Sequence, residues 1–267
     1  MICNAVRVVT ASDESGSVIA MFRPRDRLCY TRRMKILVGT PTYNGQVTGQ
    51  YTRSLLGLFQ AYGPALSWET TKAVMITWAR NYLASAMLAG DYTHLLFIDA
   101  DVEFDVSLVK RMLDFDQPLT AAAYPTRSLN IPAFHAAAQR YTNPNVAFAA
   151  ALNFPIELEE PRVERDEFFR AIFAPTGLML IKREVLETLK AAHPELLCDA
   201  AGSYYGQEGL KQVFQCFEGL PNPNGVMMGE DFSFCQRWRQ TGGEIWVTFD
   251  ESLGHTGPYT FRAAPNG

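Results

Sequence analysis

Two carboxylates at i and i+2, Asp99 and Asp101, close the continuous apolar run Thr93-His94-Leu95-Leu96-Phe97-Ile98. Charge placed where a chain leaves a buried strand has to be solvated, hydrogen-bonded or neutralised. Oxygen-only ligands suit Mg2+ or Mn2+, and an ion there would bridge a diphosphate and offset charge on a leaving nucleotide. A plainer use is open to the same pair: Asp99 capping a turn or the helix near residue 105, with Asp101 solvated. A second acidic pair, Glu230-Asp231, follows Gly229 and opens a helical pattern. Capping and the macrodipole favour acids at a helix start. A carboxylate beside a sugar hydroxyl can also take its proton as the hydroxyl attacks an anomeric carbon. His255 lies in the Gly-rich segment Gly254-His255-Thr256-Gly257. It is either a tail residue or the imidazole that completes a Mn2+ sphere begun by carboxylates. Arg80, in Trp78-Ala79-Arg80-Asn81, carries the fork that grips phosphate, unless it is a solvated helix residue. Thr40, Pro41 and Tyr43 fall in the segment Gly39–Gly45, which reads as a turn. Its backbone amides and aromatic face would hold a nucleobase, or it is turn chemistry alone.

These residues need a scaffold, and the hydrophobic pattern supplies one. Ile36 to Val38 predicts a short buried strand, 49–62 and 73–90 helices, and 93–98 a strand covered on both faces because it lacks alternation. A helix over 105–115 and a strand over Leu119–Tyr124 follow. Residues 128–170, rich in Pro, Asn and acids, read as variable loops with short strands. Residues 177–181 read as a strand, 183–192 as a helix and 230–241 as a helix stopped by Gly242-Gly243. Glu244 to Phe249 reads as a last strand. The Gly-, Pro- and Asn-rich stretch 198–228 has the look of a lid or binding loop. Alternating strands and helices predict an α/β fold, a three-layer αβα sandwich on a mixed, mostly parallel sheet. Ligands of such sheets sit beyond the carboxyl ends of the strands, so the 39–45 segment and Asp99-Ala100-Asp101 are expected at one rim.

Composition narrows the function. The chain has 267 residues, 48% hydrophobic and 19% charged, with net charge −4. That excludes a disordered chain and, with no basic stripe, argues against nucleic acid as a partner. The five cysteines, Cys3, Cys29, Cys198, Cys216 and Cys235, include no C-x-x-C. No disulfide framework is expected, and a cytoplasmic location is. No apolar run reaches the ~18 residues of a membrane span. Residues 1–33 carry six arginines and little periodicity. They are expected to be a loosely ordered extension, open to peripheral lipid contact, before one domain over 34–267.

Five motifs in order, V-G-T-P-T-Y-N-G, A-R-N, L-L-F-I-D-A-D-V-E-F, G-E-D-F-S-F-C-Q-R-W and H-T-G, make the chain similar to GT-A-fold glycosyltransferases of the family 2-like group. The resemblance spans about residues 34–260. It implies a metal-dependent, hexosyltransferase-like enzyme that moves a sugar from a UDP- or GDP-linked donor to a carbohydrate, lipid-linked or protein acceptor. Thr40, Pro41, Tyr43, Arg80, Asp99 and Ala100 would meet the donor, with Asp99 at the ribose or the metal shell. Asp101 and His255 would ligate Mn2+ or Mg2+. Asp231 would be the base of an inverting transfer, with Glu230 and Gly177 on the acceptor side. Ala123–Arg127 resembles the segment where donor-sugar contacts lie. Gln236-Arg237-Trp238 departs from the family's Q-x-x-R-W, which argues against a processive synthase. Two other readings stay open. A sugar-nucleotide nucleotidyltransferase would open with a Gly-rich basic loop that Thr40-Pro41-Thr42-Tyr43-Asn44 is not. An aspartyl-nucleophile phosphohydrolase would carry Thr or Val where Glu103 stands.

Overall fold

A computed structural model of the chain describes residues 34–257 apart from Leu129, Glu208, Glu251 and Ser252. The extension expected over 1–33, with Cys3 and Cys29, lies outside the described residues. In chain order the elements are β1 (Ile36–Thr42), α1 (Gly49–Tyr62), β2 (Leu66–Lys72), α2 (Ile76–Ala89), β3 (His94–Ile98), β4 (Val102–Glu103), α3 (Val106–Phe115), β5 (Leu119–Ala123), α4 (Ile131–Arg140) and α5 (Pro144–Ala149). They continue with β6 (Glu157–Leu158), β7 (Glu164–Arg165), β8 (Phe168–Phe173), β9 (Leu178–Lys182), α6 (Arg183–Ala192), β10 (Leu197–Asp199), β11 (Gln212–Phe214), α7 (Glu230–Gln240), β12 (Ile245–Phe249) and β13 (Gly254–His255).

Among the described residues, nine strands form the main sheet in the order β2-β1-β3-β9-β5-β12-β8-β6, with β7 on β8. β8 and β9 run against the rest, so the sheet is mixed with most strands pointing one way. Successive side chains on a strand face opposite sides. Leu37, Leu95 and Phe97 therefore join Leu83, Met87, Leu186 and Trp238 on one face, beneath α2, α6 and α7. Ile36, Val38, Leu96 and Ile98 join Leu55, Leu58, Leu108 and Met112 on the other, beneath α1 and α3. This is the expected three-layer αβα sandwich, and β3 is covered on both faces as its unbroken apolar run predicts.

Three expectations change. β1 runs on to Thr42 because a strand the periodicity did not reveal, β2, pairs with it in parallel from Ile36↔Leu66 to Thr42↔Lys72. Thr40 and Pro41 thus lie inside a strand, not in a turn. Pro41 is tolerated because β1 has by then outrun β3, whose pairing stops at Gly39↔Phe97. The region 128–170, expected as loops and short strands, contains α4 and α5. The stretch 198–228 holds a small antiparallel pair, β10 and β11, and a helical turn at Tyr204–Gln207. Among the described residues Cys198, Cys216 and Cys235 are free thiols.

Candidate active site

The carboxyl end of β3 delivers Asp99, and the first turn of α7 delivers Glu230 and Asp231. Arg80, on α2, joins them. Its Nη2 lies 3.2 and 3.4 Å from the two Asp99 oxygens, and its Nε lies 3.3 Å from Glu230 Oε1. The guanidinium sits over the Phe97 ring, 5.4 Å from its centre. Its side chain is 4% exposed. Burial works against its charge, but Asp99 and Glu230 more than offset this, so its pKa is raised. Nη1 is buried and has no hydrogen-bond partner among the described residues. Arg80 is therefore not a solvated helix residue. The next residue, Asn81, holds Glu218 at 3.0 Å and the Phe217 N–H at 2.9 Å, so α2 also fixes the segment leading towards α7.

Asp99 does not cap the following helix. Asp105 does, accepting the Ser107 N–H at 2.8 Å. The Asp99 N–H donates to the Gly177 carbonyl at 2.9 Å. The Gly177 N–H donates to the Tyr124 hydroxyl at 3.1 Å. A Cβ at position 177 would lie 2.2 Å from that hydroxyl, so only glycine fits. Asp231 is pushed up to about 6, first by burial and then by repulsion from Glu230, with Arg80 acting weakly the other way. Its Oδ1 accepts the Phe232 N–H at 2.8 Å.

Asp101 meets His255 because β13 pairs antiparallel with β4, and the Thr256 N–H donates to the Asp101 carbonyl at 2.9 Å. His255 Nδ1 lies 2.8 Å from the Pro125 carbonyl. A carbonyl only accepts, so Nδ1 carries the proton. Nε2 then faces Asp101 Oδ1 at 3.4 Å. Two electron-rich atoms in that position call for a proton or a metal ion between them, and the carbonyl-fixed tautomer is the one a ligating imidazole uses. Burial lowers the His255 pKa, but the hydrogen bonds to Asp101 and Pro125 outweigh it and leave it raised. A carboxylate and an imidazole facing each other are donors that could hold a divalent cation, the carboxylate being the one suited to Mn2+ or Mg2+. Among the described residues no three His, Cys, Asp or Glu side chains that could hold a metal ion gather at one point.

No family model and no curated protein matches the chain. The solved structures that match the chain include three of low similarity. A197 from STIV is 13% identical, with a TM-score of 0.43 over 88% of this chain and 100% of that one. A UDP-glucose pyrophosphorylase complexed with UDP-glucose is 9% identical, with a TM-score of 0.39 over 82% of this chain and 91% of that one. A glycosyltransferase involved in the glycosylation of the major capsid of PBCV-1 is 11% identical, with a TM-score of 0.30 over 60% and 68%. Likeness this distant says nothing of activity.

The structure gathers Arg80, Asp99, Ala100, Asp101, Gly177, Glu230, Asp231 and His255 along one rim. The loop after β1 reaches it too, since the Thr48 N–H donates to the Ala100 carbonyl at 2.9 Å. Thr40 is buried, its hydroxyl shared by Tyr51 and the Trp68 indole. Pro41 is buried, and Tyr43 is 72% exposed. Two residues of the Ala123–Arg127 segment, which the resemblance set on the donor side without a role for either, join the site. Tyr124 packs edge-on to His255 with ring centres 5.0 Å apart. Arg127 pairs with Asp101 at 2.6 Å. No local pattern signals either contact, since each partner lies far along the chain. A cavity of about 490 Å3 lined by Arg111, Glu164, Glu167, Phe169, Phe249 and Asp250 contains none of these residues. No described helix is long and apolar enough to cross a membrane.

Proposed function

We propose that this chain is a GT-A-type glycosyltransferase that moves a sugar from a nucleoside-diphosphate donor, UDP- or GDP-linked, to a hydroxyl acceptor with inversion. The observation that supports this most is the Arg80 bridge. It ties the donor-side carboxylate Asp99 to Glu230 and sets both beside an Asp231 whose carboxyl is held near 6. A carboxylate of that basicity is matched to taking a proton from an acceptor hydroxyl near neutral pH. Asp231 acts as the base. Glu230 orients the acceptor, Asp99 contacts the ribose, and Arg80 fixes both carboxylates. Asp101 and His255 would hold Mn2+ or Mg2+, which when bound supplies counter-charge to the leaving diphosphate. Thr40 and Pro41 shape the floor of the nucleotide side from within β1, and exposed Tyr43 offers a ring to the base.

The test is a screen of UDP- and GDP-sugars with the purified full chain, reading release of free nucleoside diphosphate. Donor hydrolysis that needs Mn2+ and is lost in D231N is expected. Formation of a nucleoside triphosphate from nucleotide sugar and pyrophosphate, with no diphosphate release, would instead identify a nucleotidyltransferase and refute the proposal.

A further inference from the structure

Among the described residues, Arg127 is a charge on Asp101 to which the proposed transfer gives no task. Its Nη1 sits 2.6 Å from Asp101 Oδ2, on the carboxylate assigned to the cation. Its stem is clasped by the tail, since a Cβ at Gly257 would lie 2.8 to 3.0 Å from its Cδ, Cβ and Cγ. The tail is itself pinned by the β13–β4 pairing and the Thr256 N–H. The stem is therefore held while the head faces solvent, with the side chain 50% exposed. Arg80, locked between two carboxylates, has no such freedom.

Charge balance shows what this freedom serves. Asp99, Asp101, Glu230 and Asp231 set four carboxyl groups against the two guanidiniums of Arg80 and Arg127. A diphosphate brings further negative charge into this acidic rim. A divalent ion held by Asp101 and His255 would share the carboxylate whose Oδ2 Arg127 grips, and two positive charges on one carboxylate repel at that range. The displaced fork then faces an arriving anion whose shape it matches.

Resting on the reading of Asp101 as cation ligand, we propose that Arg127 and the divalent cation compete for Asp101, and that Arg127, once displaced, binds the donor's diphosphate. Calorimetry on the full chain tests this, with Mn2+ alone and then with UDP and GDP at saturating Mn2+. Without nucleotide, R127Q binds Mn2+ ~2–5-fold more tightly than the parent, because an exposed ion pair no longer competes. With Mn2+ saturating, R127Q binds the nucleoside diphosphate about tenfold or more weakly, having lost a charge-assisted contact. R127K keeps the charge without the fork and falls between the two in both titrations, which separates lost charge from a disturbed tail. Equal or weaker Mn2+ binding by R127Q, with binding abolished in D101N, overturns the competition and leaves the cation reading standing. Tighter Mn2+ binding with unchanged nucleotide affinity overturns the handover to diphosphate. D101N binding Mn2+ like the parent overturns the cation reading itself and the competition with it.

Discussion

Glu230 and Asp231 share the first turn of α7, where the helix dipole favours negative charge on both. Asp231 is nevertheless pushed up to about 6, because burial and the neighbouring Glu230 outweigh the dipole and Arg80. A base acts as its carboxylate, so turnover is expected to rise as pH passes about 6 and to level off above it. D231N should lack this limb and turn over ~10²–10⁴ times more slowly while binding donor normally; a pH profile of kcat in both proteins checks it. The same shift bears on stability. A carboxyl whose folded pKa is raised binds its proton more tightly when folded, so the parent loses stability as pH rises from about 4 to about 6. D231N, uncharged throughout, should unfold at a higher temperature than the parent at pH 7 and at a similar one at pH 4. The acid pair at a helix start could be read from the sequence. Its unequal surroundings could not, because burial of Asp231 depends on packing from other parts of the chain. Gly177 teaches the same lesson. Its place before a strand was visible, but the Tyr124 hydroxyl that excludes a side chain there was not. Y124F should leave the buried Gly177 N–H without an acceptor and cost about 1–3 kcal/mol, measured by denaturant unfolding.

Between elements, Arg80 acts as a strut from α2 to the end of β3 and the start of α7. R80M keeps the volume but leaves Asp99 and Glu230 facing each other unpaired. Removing one partner of a buried pair costs roughly 3–5 kcal/mol, and the fifth of each carboxylate that stays exposed puts this case near the lower figure. Because Arg80 draws the Asp231 pKa down, the limb of the pH profile should move above 6 in R80M. A limb that stays in place would show that the strut does not act on the base. The motif A-R-N flagged Arg80, yet no spacing rule says that one guanidinium will span two carboxylates on different elements. The elements themselves were unevenly legible. β3 and α6 announced themselves by pattern. β2 did not, because Leu66-Ser67-Trp68-Glu69-Thr70-Thr71-Lys72 is an edge strand with mostly polar, half-exposed side chains. α4 and α5 were hidden by residues that read as loop signals. Asn130 and Asn143 are in fact N-caps, and Pro132 and Pro144 sit in the first turns, where proline is tolerated.

At the scale of the molecule, alternating strands and helices were enough to foresee three layers. Strand order was not, since β9 enters antiparallel between β3 and β5 and its run Leu178-Met179-Leu180-Ile181 is apolar on both faces. Nothing local in such a run gives its direction. That insertion brings Gly177 against Asp99 and Tyr124, and the β13–β4 pairing brings His255 back to Asp101. The site is thus assembled from segments distant in sequence, and a ligand that engages them together stabilises the folded chain as a whole. A ligand that binds only the folded state, at ~100 times its Kd, adds about 2.7 kcal/mol. For a chain of this size that corresponds to a rise in melting temperature of roughly 5–10 °C. UDP or GDP with Mn2+ is expected to give that rise, and to give much less when the metal is removed with EDTA or in D101N. Inorganic phosphate alone should give almost none. If phosphate or a sugar phosphate stabilised the chain as strongly as the nucleotide, the rim would be reading a phosphoryl group and not a nucleoside diphosphate. The aspartyl phosphohydrolase would then become the better account of Asp99 and Asp101.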